Sequence, residues 1–235
     1  MIRKLSISLF FTLIFTSLSF SQKTAELGIL AGRSYYLGEL NPKTHWGNGV
    51  GSLTFGGVFR YNLNDRYTLK GSIIRTTLTA KDELESFLFN NQRLASFENT
   101  ITEFAGEIEF NFLPYKMGDK RHFFSPYLFV GLSYFTNDVS TKVEGFLPAP
   151  TNQDGGSKLA MPFGPGVKLS LGKKWAFSME WGFRKTGYDL IDGLENRVND
   201  VFESGKTYDN DWFVVSGFML TYKITDEGPC PVYNF

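Results

Sequence analysis

From Lys174 to Lys185 the chain alternates without a break. Trp175, Phe177, Met179, Trp181 and Phe183 share one parity; Ala176, Ser178, Glu180, Gly182 and Arg184 share the other. In a helix this order would spread charge and aromatic bulk around the whole cylinder. A two-residue period over this length specifies a β-strand with one apolar and one polar face. A fold for this chain must give the aromatic row and the row carrying Glu180 and Arg184 two different surroundings.

Seven further segments read the same way, each about ten residues long and bounded by turn residues. In residues 103–112, Phe104, Gly106, Ile108, Phe110 and Phe112 oppose Glu103, Ala105, Glu107, Glu109 and Asn111. In residues 53–62, Leu53, Phe55, Phe59 and Tyr61 oppose Thr54, Val58, Arg60 and Asn62. Tyr67, Leu69 and Ile73 oppose Thr68, Lys70 and Ser72; Phe163, Val167 and Leu169 oppose Gly164, Lys168 and Ser170. The last segment, 211–224, sets Trp212, Val214, Phe218, Leu220 and Tyr222 against Phe213, Val215, Met219, Thr221 and Lys223. The first, 24–34, is glycine-rich. The fifth, 125–136, is apolar on both parities, so its inward face is not assigned from sequence.

The connections alternate in length. Short links lie at 62–66, 114–122 and 172–173; longer ones span about 35–50, 80–99, 137–158 and 187–210. Short turns at one end and long loops at the other predict an eight-stranded antiparallel up-and-down transmembrane β-barrel, all-β, with short periplasmic turns, long extracellular loops and both termini on the short-turn side.

The N-terminus supports an exported chain. Arg3 and Lys4 precede an apolar, hydroxyl-rich run to Phe20, with Ser19 and Ser21 placed for cleavage before Gln22. This predicts a cleavable signal peptide over 1–21, a barrel over 22–224 and a periplasmic tail over 225–235. The alternative, a membrane anchor, is disfavoured because about 16 apolar residues fall short of the ~20 needed to span. Lys+Arg and Asp+Glu are equal at 24 each, which disfavours nucleic acid as a partner. The expected location is the cell outer membrane of a Gram-negative bacterium, with lipid as the barrel's surroundings and no small-molecule substrate.

The polar parity carries five acids, Glu26, Glu103, Glu107, Glu109 and Glu180, and five bases, Arg60, Lys70, Lys168, Arg184 and Lys223. Eight strands leave an interior just wide enough for side chains. These ten residues are therefore expected to form a lumen charge network that fills the barrel. A soluble eight-stranded barrel of lipocalin type is the rival fold, but it would turn its aromatics inward and carry a closing helix.

No catalytic residue, cofactor site or metal site is expected. The two histidines, His45 and His122, fall in a loop and a short link, and Cys230 is the single cysteine. No nucleophile elbow or P-loop is present. Glu103, Glu107 and Glu109 read as lumen ion pairs in preference to an acid–base set. The tail, with Asp226, Glu227, Cys230, Tyr233 and Phe235 beside Pro229 and Pro231, reads either as a partner-docking segment or as a frayed terminus or plug.

Several blocks resemble one family. Residues 26–28 and 36–42 (Tyr36-Leu37-Gly38-Glu39-Leu40-Asn41-Pro42) are similar to PorG, the outer-membrane barrel of the Bacteroidetes type IX secretion system. So are Phe59-Arg60-Tyr61-Asn62-Leu63, Glu109-Phe110-Asn111-Phe112-Leu113-Pro114-Tyr115, Ser125-Pro126-Tyr127-Leu128-Phe129-Val130-Gly131, Glu180-Trp181-Gly182-Phe183-Arg184, and Asn210-Asp211-Trp212 with Cys230-Pro231. The resemblance implies a Bacteroidetes source and a non-enzymatic barrel that anchors periplasmic secretion-ring proteins of the PorK and PorN type, with gliding motility in some species. The alternative is a general small outer-membrane barrel for adhesion or envelope integrity.

Overall fold

The computed structural model describes residues 24–37, 51–81, 95–143, 156–187, 191, 197–198, 202–203 and 212–225. The expected signal peptide, His45, Cys230 and tail residues 226–235 lie outside the described residues.

Among the described residues the strands in chain order are β1 (Thr24–Leu37), β2 (Ser52–Asn62), β3 (Tyr67–Lys81), β4 (Ala95–Asn111), β5 (Phe124–Val143), β6 (Gly156–Ser170), β7 (Trp175–Thr186), β8 (Arg197–Val198), β9 (Phe202–Glu203) and β10 (Trp212–Lys223). Eight of them close a barrel in the order β1-β10-β7-β6-β5-β4-β3-β2, and β8 pairs with β9 in a separate two-stranded sheet. Every pairing is antiparallel, and β1 closes the barrel by pairing Glu26 with Lys223 on one side and with Arg60 on the other. Closure leaves no unpaired edge, which a strand in lipid cannot tolerate.

The β2–β3 turn shows how the short connections are made. Asn64 Oδ1 accepts from the backbone N–H groups of Arg66 and Tyr67, both at 2.8 Å, so the side chain itself supplies the turn.

The strands on the long-loop side run further than the alternation suggests. β4 has 17 residues and β5 has 20, against the 9–11 that cross a bilayer. Residues 80–81, 95–99, 137–143 and 156–158, expected as loop, are therefore strand. The reason lies in the phase of the pattern. Below Phe104 and Tyr134 (toward the short turns) the apolar residues point outward. Above them the same parity turns polar, with Arg75, Thr100, Glu98, Asp138 and Ser140 outward and Ile74, Leu78, Ile101, Phe97, Phe135 and Val139 inward. A pattern that changes phase mid-strand reads as irregular although the backbone continues.

β5 is oriented by its register against β4: Tyr127, Phe129, Ser133 and Phe135 are buried, while Leu128, Val130, Leu132 and Tyr134 are exposed.

Candidate functional site

The lower half of the lumen is an ionic layer. Arg60 reaches from β2 across the interior: its Nε donates to Glu109 Oε1 at 3.1 Å and its Nη1 to Ser178 Oγ at 2.9 Å. Lys70 from β3 is wedged between Glu107, 2.5 Å away, and Glu180, with Glu109 at 3.7 Å. Lys168 pairs with the second oxygen of Glu109 and donates to Thr68 Oγ1 at 3.3 Å. Arg184 lies 3.4 Å from Glu103 and donates to the Gly182 carbonyl at 2.7 Å. Glu109 is thus shared by three cations from three strands, which ties opposite walls together.

Nine of the ten expected network residues are buried to 4% exposure or less: Glu26, Arg60, Lys70, Glu103, Glu107, Glu109, Lys168, Glu180 and Arg184. Lys223 is only half-buried, at the short-turn mouth. Glu26 is held by neutral donors, Asn62 Nδ2 at 2.6 Å and Thr221 Oγ1 at 2.7 Å.

Tyr127 is a site residue that sequence reasoning missed. Its hydroxyl donates to Glu180 at 3.0 Å, and its ring lies 4.8 Å from Lys168 Nζ. The signal was hidden because β5 is apolar on both parities; only the neighbouring strands show which face is inside.

The upper half of the lumen carries an apolar cluster beside buried polar groups such as Ser34, Thr54, Thr76 and Asn99, and the Glu103–Arg184 pair marks its lower edge, opposite Phe135 and Phe213 in register. Leu30, Tyr36, Val58, Ile74, Leu78, Phe97, Ile101, Phe135, Val139, Phe213 and Met219 form one buried cluster. Tyr36 meets Phe97 edge-on at 5.0 Å, and Phe135 meets Phe213 at 5.8 Å. Ile191, from the β7–β10 connection, joins this cluster, and its carbonyl accepts from Asn99 Nδ2 at 2.8 Å.

The inner mouth is filled by the β4–β5 link. Tyr115 and Met117 turn in beneath the barrel and pack on Ala176. The link is fastened at several points: the Tyr115 N–H donates to Asp65 O at 3.0 Å, Gly118 N–H to Ser170 Oγ at 2.9 Å, and Arg66 Nη1 to the Phe112 carbonyl. Gly118 has φ +88, and a Cβ there would meet Lys173 Cα at 3.2 Å. Glycine therefore permits both the left-handed turn and the close approach of link and β6–β7 turn. Asp119 accepts from the Arg121 N–H at 2.7 Å and lies 3.2 Å from the His122 ring. That backbone hydrogen bond, with the His122 contact, holds its carboxyl below the usual carboxylate range.

The outer wall below Phe104 and Tyr134 is a band of exposed apolar side chains, including Ile29 at 65%, Leu132 at 73% and Leu159 at 68%. Aromatics edge it, with Trp175 packed on Tyr222 at 5.0 Å near the short turns and Phe163 on Trp212 at 5.9 Å near the loops. Apolar outside, ionic inside and aromatic at both rims is the pattern of a barrel solvated by lipid. Among the described residues no group of three or more His, Cys, Asp or Glu is placed to hold a metal ion.

The profile of a family described as Domain of unknown function (DUF6089) matches residues 3–234. The chain belongs to that family. No curated protein matches the DUF6089 chain significantly. Among solved structures it is similar to Neisserial surface protein A, with 10% identity, TM-score 0.48 and coverage of 85% of this chain and 96% of that one. It is similar also to Ail of Yersinia pestis, the attachment invasion locus protein, with 12% identity, TM-score 0.43 and coverage of 86% and 97%. The N-terminal β-barrel domain of Pseudomonas aeruginosa OprF gives 13% identity, TM-score 0.43 and coverage of 86% and 99%. Likeness this distant carries nothing about activity or partners.

Proposed function

We propose that this DUF6089 chain is a non-conducting outer-membrane barrel that serves adhesion or envelope integrity. The observation that carries the proposal is the row of buried side chains along the described lumen: Tyr115 and Met117 below, the ionic layer between, and the Ile191–Phe135–Phe213 cluster above. An ion crossing it would have to break buried ion pairs and then enter an apolar plug. β5 is long enough to stand about 50 Å tall at ordinary strand rise and tilt, well beyond a hydrocarbon core of about 30 Å. The surplus lies on the loop side, where its outward face is polar. The test is reconstitution of the full chain into planar bilayers. The expected result is a sealed membrane; stable single-channel conductance contradicts the proposal.

A finer reading is membership of a type IX secretion machine of the Bacteroidetes, with the short-turn face and tail anchoring a PorK/PorN-like periplasmic ring. What supports it is the order of the sequence blocks shared with PorG. Deleting residues 226–235 and measuring cargo export and ring attachment tests the tail. Unchanged export and attachment with normal barrel assembly removes it as the anchor.

A further inference from the structure

The chain's formal charge is zero, but its charges are not evenly spread. At the short-turn end of the described barrel, Arg66, Lys120, Arg121, Lys173 and Lys174 are all exposed, while Asp65 and Asp119 are half-buried. Asp119 is turned onto its own loop, accepting from the Arg121 N–H. The cations come from three different connections, yet the fold gathers them. Arg66 is fastened to the start of the β4–β5 link through the Phe112 carbonyl. Gly118 brings that link against Lys173, and the Lys223 N–H donates to the Lys174 carbonyl at 2.8 Å.

The depth of this patch identifies its partner. Lys173 and Lys174 sit between Leu171 and Trp175, exposed by 55% and 48% at the lower edge of the apolar band. Lys174 Nζ lies 5.9 Å from the Tyr222 ring centroid. Arg121 is two residues from Phe123, which with Phe124 is also exposed on the rim. A long cationic side chain rooted beside lipid-facing aromatics lays its stem along apolar surface and puts its charge at headgroup depth. The residues at the centre of the end face, Tyr115 and Met117, are turned inward and buried, so the exposed charge forms a rim, not a central platform.

We propose that this rim is a binding site for the phosphates of anionic phospholipid headgroups in the leaflet facing the short turns. It rests on the membrane-barrel reading above. Clustered cations at a membrane surface select anionic over zwitterionic lipid through additive Coulomb attraction that salt screens. The lipid annulus at this rim is accordingly enriched in anionic species, which also fixes how deep the barrel sits.

The test uses the full chain with Trp175 kept and Trp46, Trp181 and Trp212 changed to Phe, reconstituted into phosphatidylcholine vesicles. Either brominated phosphatidylcholine or brominated phosphatidylglycerol is then mixed in, and quenching of Trp175 reports which lipid lies against the rim. The expected result is preferential quenching by the phosphatidylglycerol, on the order of several-fold and falling toward parity at high salt. Changing Lys120→Gln, Arg121→Gln, Lys173→Gln and Lys174→Gln together removes the preference while quenching by phosphatidylcholine persists. If the fourfold variant fails to insert, the pairs Lys120→Gln/Arg121→Gln and Lys173→Gln/Lys174→Gln are each expected to reduce the preference. Equal quenching by the two lipids in the parent chain overturns the proposal, as does a preference that high salt or the substitutions leave intact. Inorganic phosphate abolishing the preference at constant ionic strength would assign the site to free phosphate and overturn the lipid assignment. Absence of quenching by either lipid overturns the membrane-barrel reading itself, an outcome distinct from the others.

Discussion

The two halves of the barrel are built from the same eight strands but solve opposite problems. In the lower half Val130, Leu132, Ile108 and Phe104 face out, and Arg60, Lys70, Glu107 and Glu109 face in. In the upper half Thr100, Glu98, Asp138 and Ser140 face out, and Ile101, Phe97, Phe135 and Val139 face in. Backbone pairing is continuous through the change: on β4 and β5, Ile108 pairs with Val130 below and Asn99 with Val139 above. The difference teaches that the surroundings of each half set which parity is apolar. Lipid leaves no hydrophobic advantage to an apolar interior, so the lower lumen is specified by ion pairs and hydrogen bonds. Water restores that advantage, so the upper lumen is built largely around an apolar cluster.

The sharpest way to break the comparison is to remove the carboxylate that joins the lower walls. Glu109→Gln leaves Arg60, Lys70 and Lys168 without their shared partner. The expected loss is about 3–5 kcal/mol, the range for stranding a buried charge, measured by urea titration of the refolded barrel in detergent micelles. A loss under 1 kcal/mol would mean that water enters the layer and screens it.

Phe135→Ala probes the upper half, where the ring is fully buried against Phe213. The expected loss is about 3–4 kcal/mol from transfer and cavity terms. Because the Phe135 ring itself makes no ion pair, although Glu103 stands opposite it on β4, this loss is expected to depend less on salt than that of Glu109→Gln. A salt dependence as large as that of Glu109→Gln would contradict the division.

A charge on the outer wall separates the halves by solvent. Val130→Arg puts a cation in the middle of the apolar band, with an expected cost of about 2–4 kcal/mol in a bilayer. Thr100→Arg, on the outward face of the upper half, is expected to change stability by less than about 0.5 kcal/mol. Equal costs at the two positions would show that both face the same medium.

The smallest effect belongs to the inner link. The Asp119 carboxyl is held below its ordinary range, chiefly by the Arg121 N–H. A group whose folded value is depressed adds stability above its unfolded value and loses it as pH falls through the folded one. The Asp119 contacts are therefore expected to persist at neutral pH and to release only in acid. A carboxyl resonance for Asp119 that titrates at or above the ordinary Asp value would contradict this. Since its partners lie within its own link at the solvent-facing end, Asp119→Asn is expected to leave the unfolding midpoint almost unchanged.

How much of this was legible in the sequence follows from the same inversion. β7 and the lower part of β4 face one medium on each side throughout, so their alternation is unbroken and could be read directly. The inward parity of Arg60, Lys70, Glu107 and Glu109 could be read for that reason. Ile73 and Ile74 sit side by side at the phase change of β3, and the alternation of β4 falters between Ile101 and Phe104. A reader following the apolar residues loses the strand there and assigns a loop. β5 is legible as a strand but its inward face is not, because Tyr127, Phe129 and Phe135 line the interior while Leu128, Val130 and Leu132 face out. Tyr115 and Met117 gave no signal at all, since a link that folds back under the barrel has no period to follow.

The central claim is that the membrane ends where the polarity inverts. The most direct measurement is a nitroxide scan of alternate outward positions along β5, with accessibility to oxygen and to a water-soluble nickel chelate recorded by electron paramagnetic resonance in reconstituted vesicles. The account predicts that labels at 128, 130, 132 and 134 are relaxed by oxygen, and that labels at 136, 138, 140 and 142 are relaxed by the nickel reagent. Oxygen-dominated relaxation continuing to position 140, or nickel accessibility at 130 and 132, would contradict it.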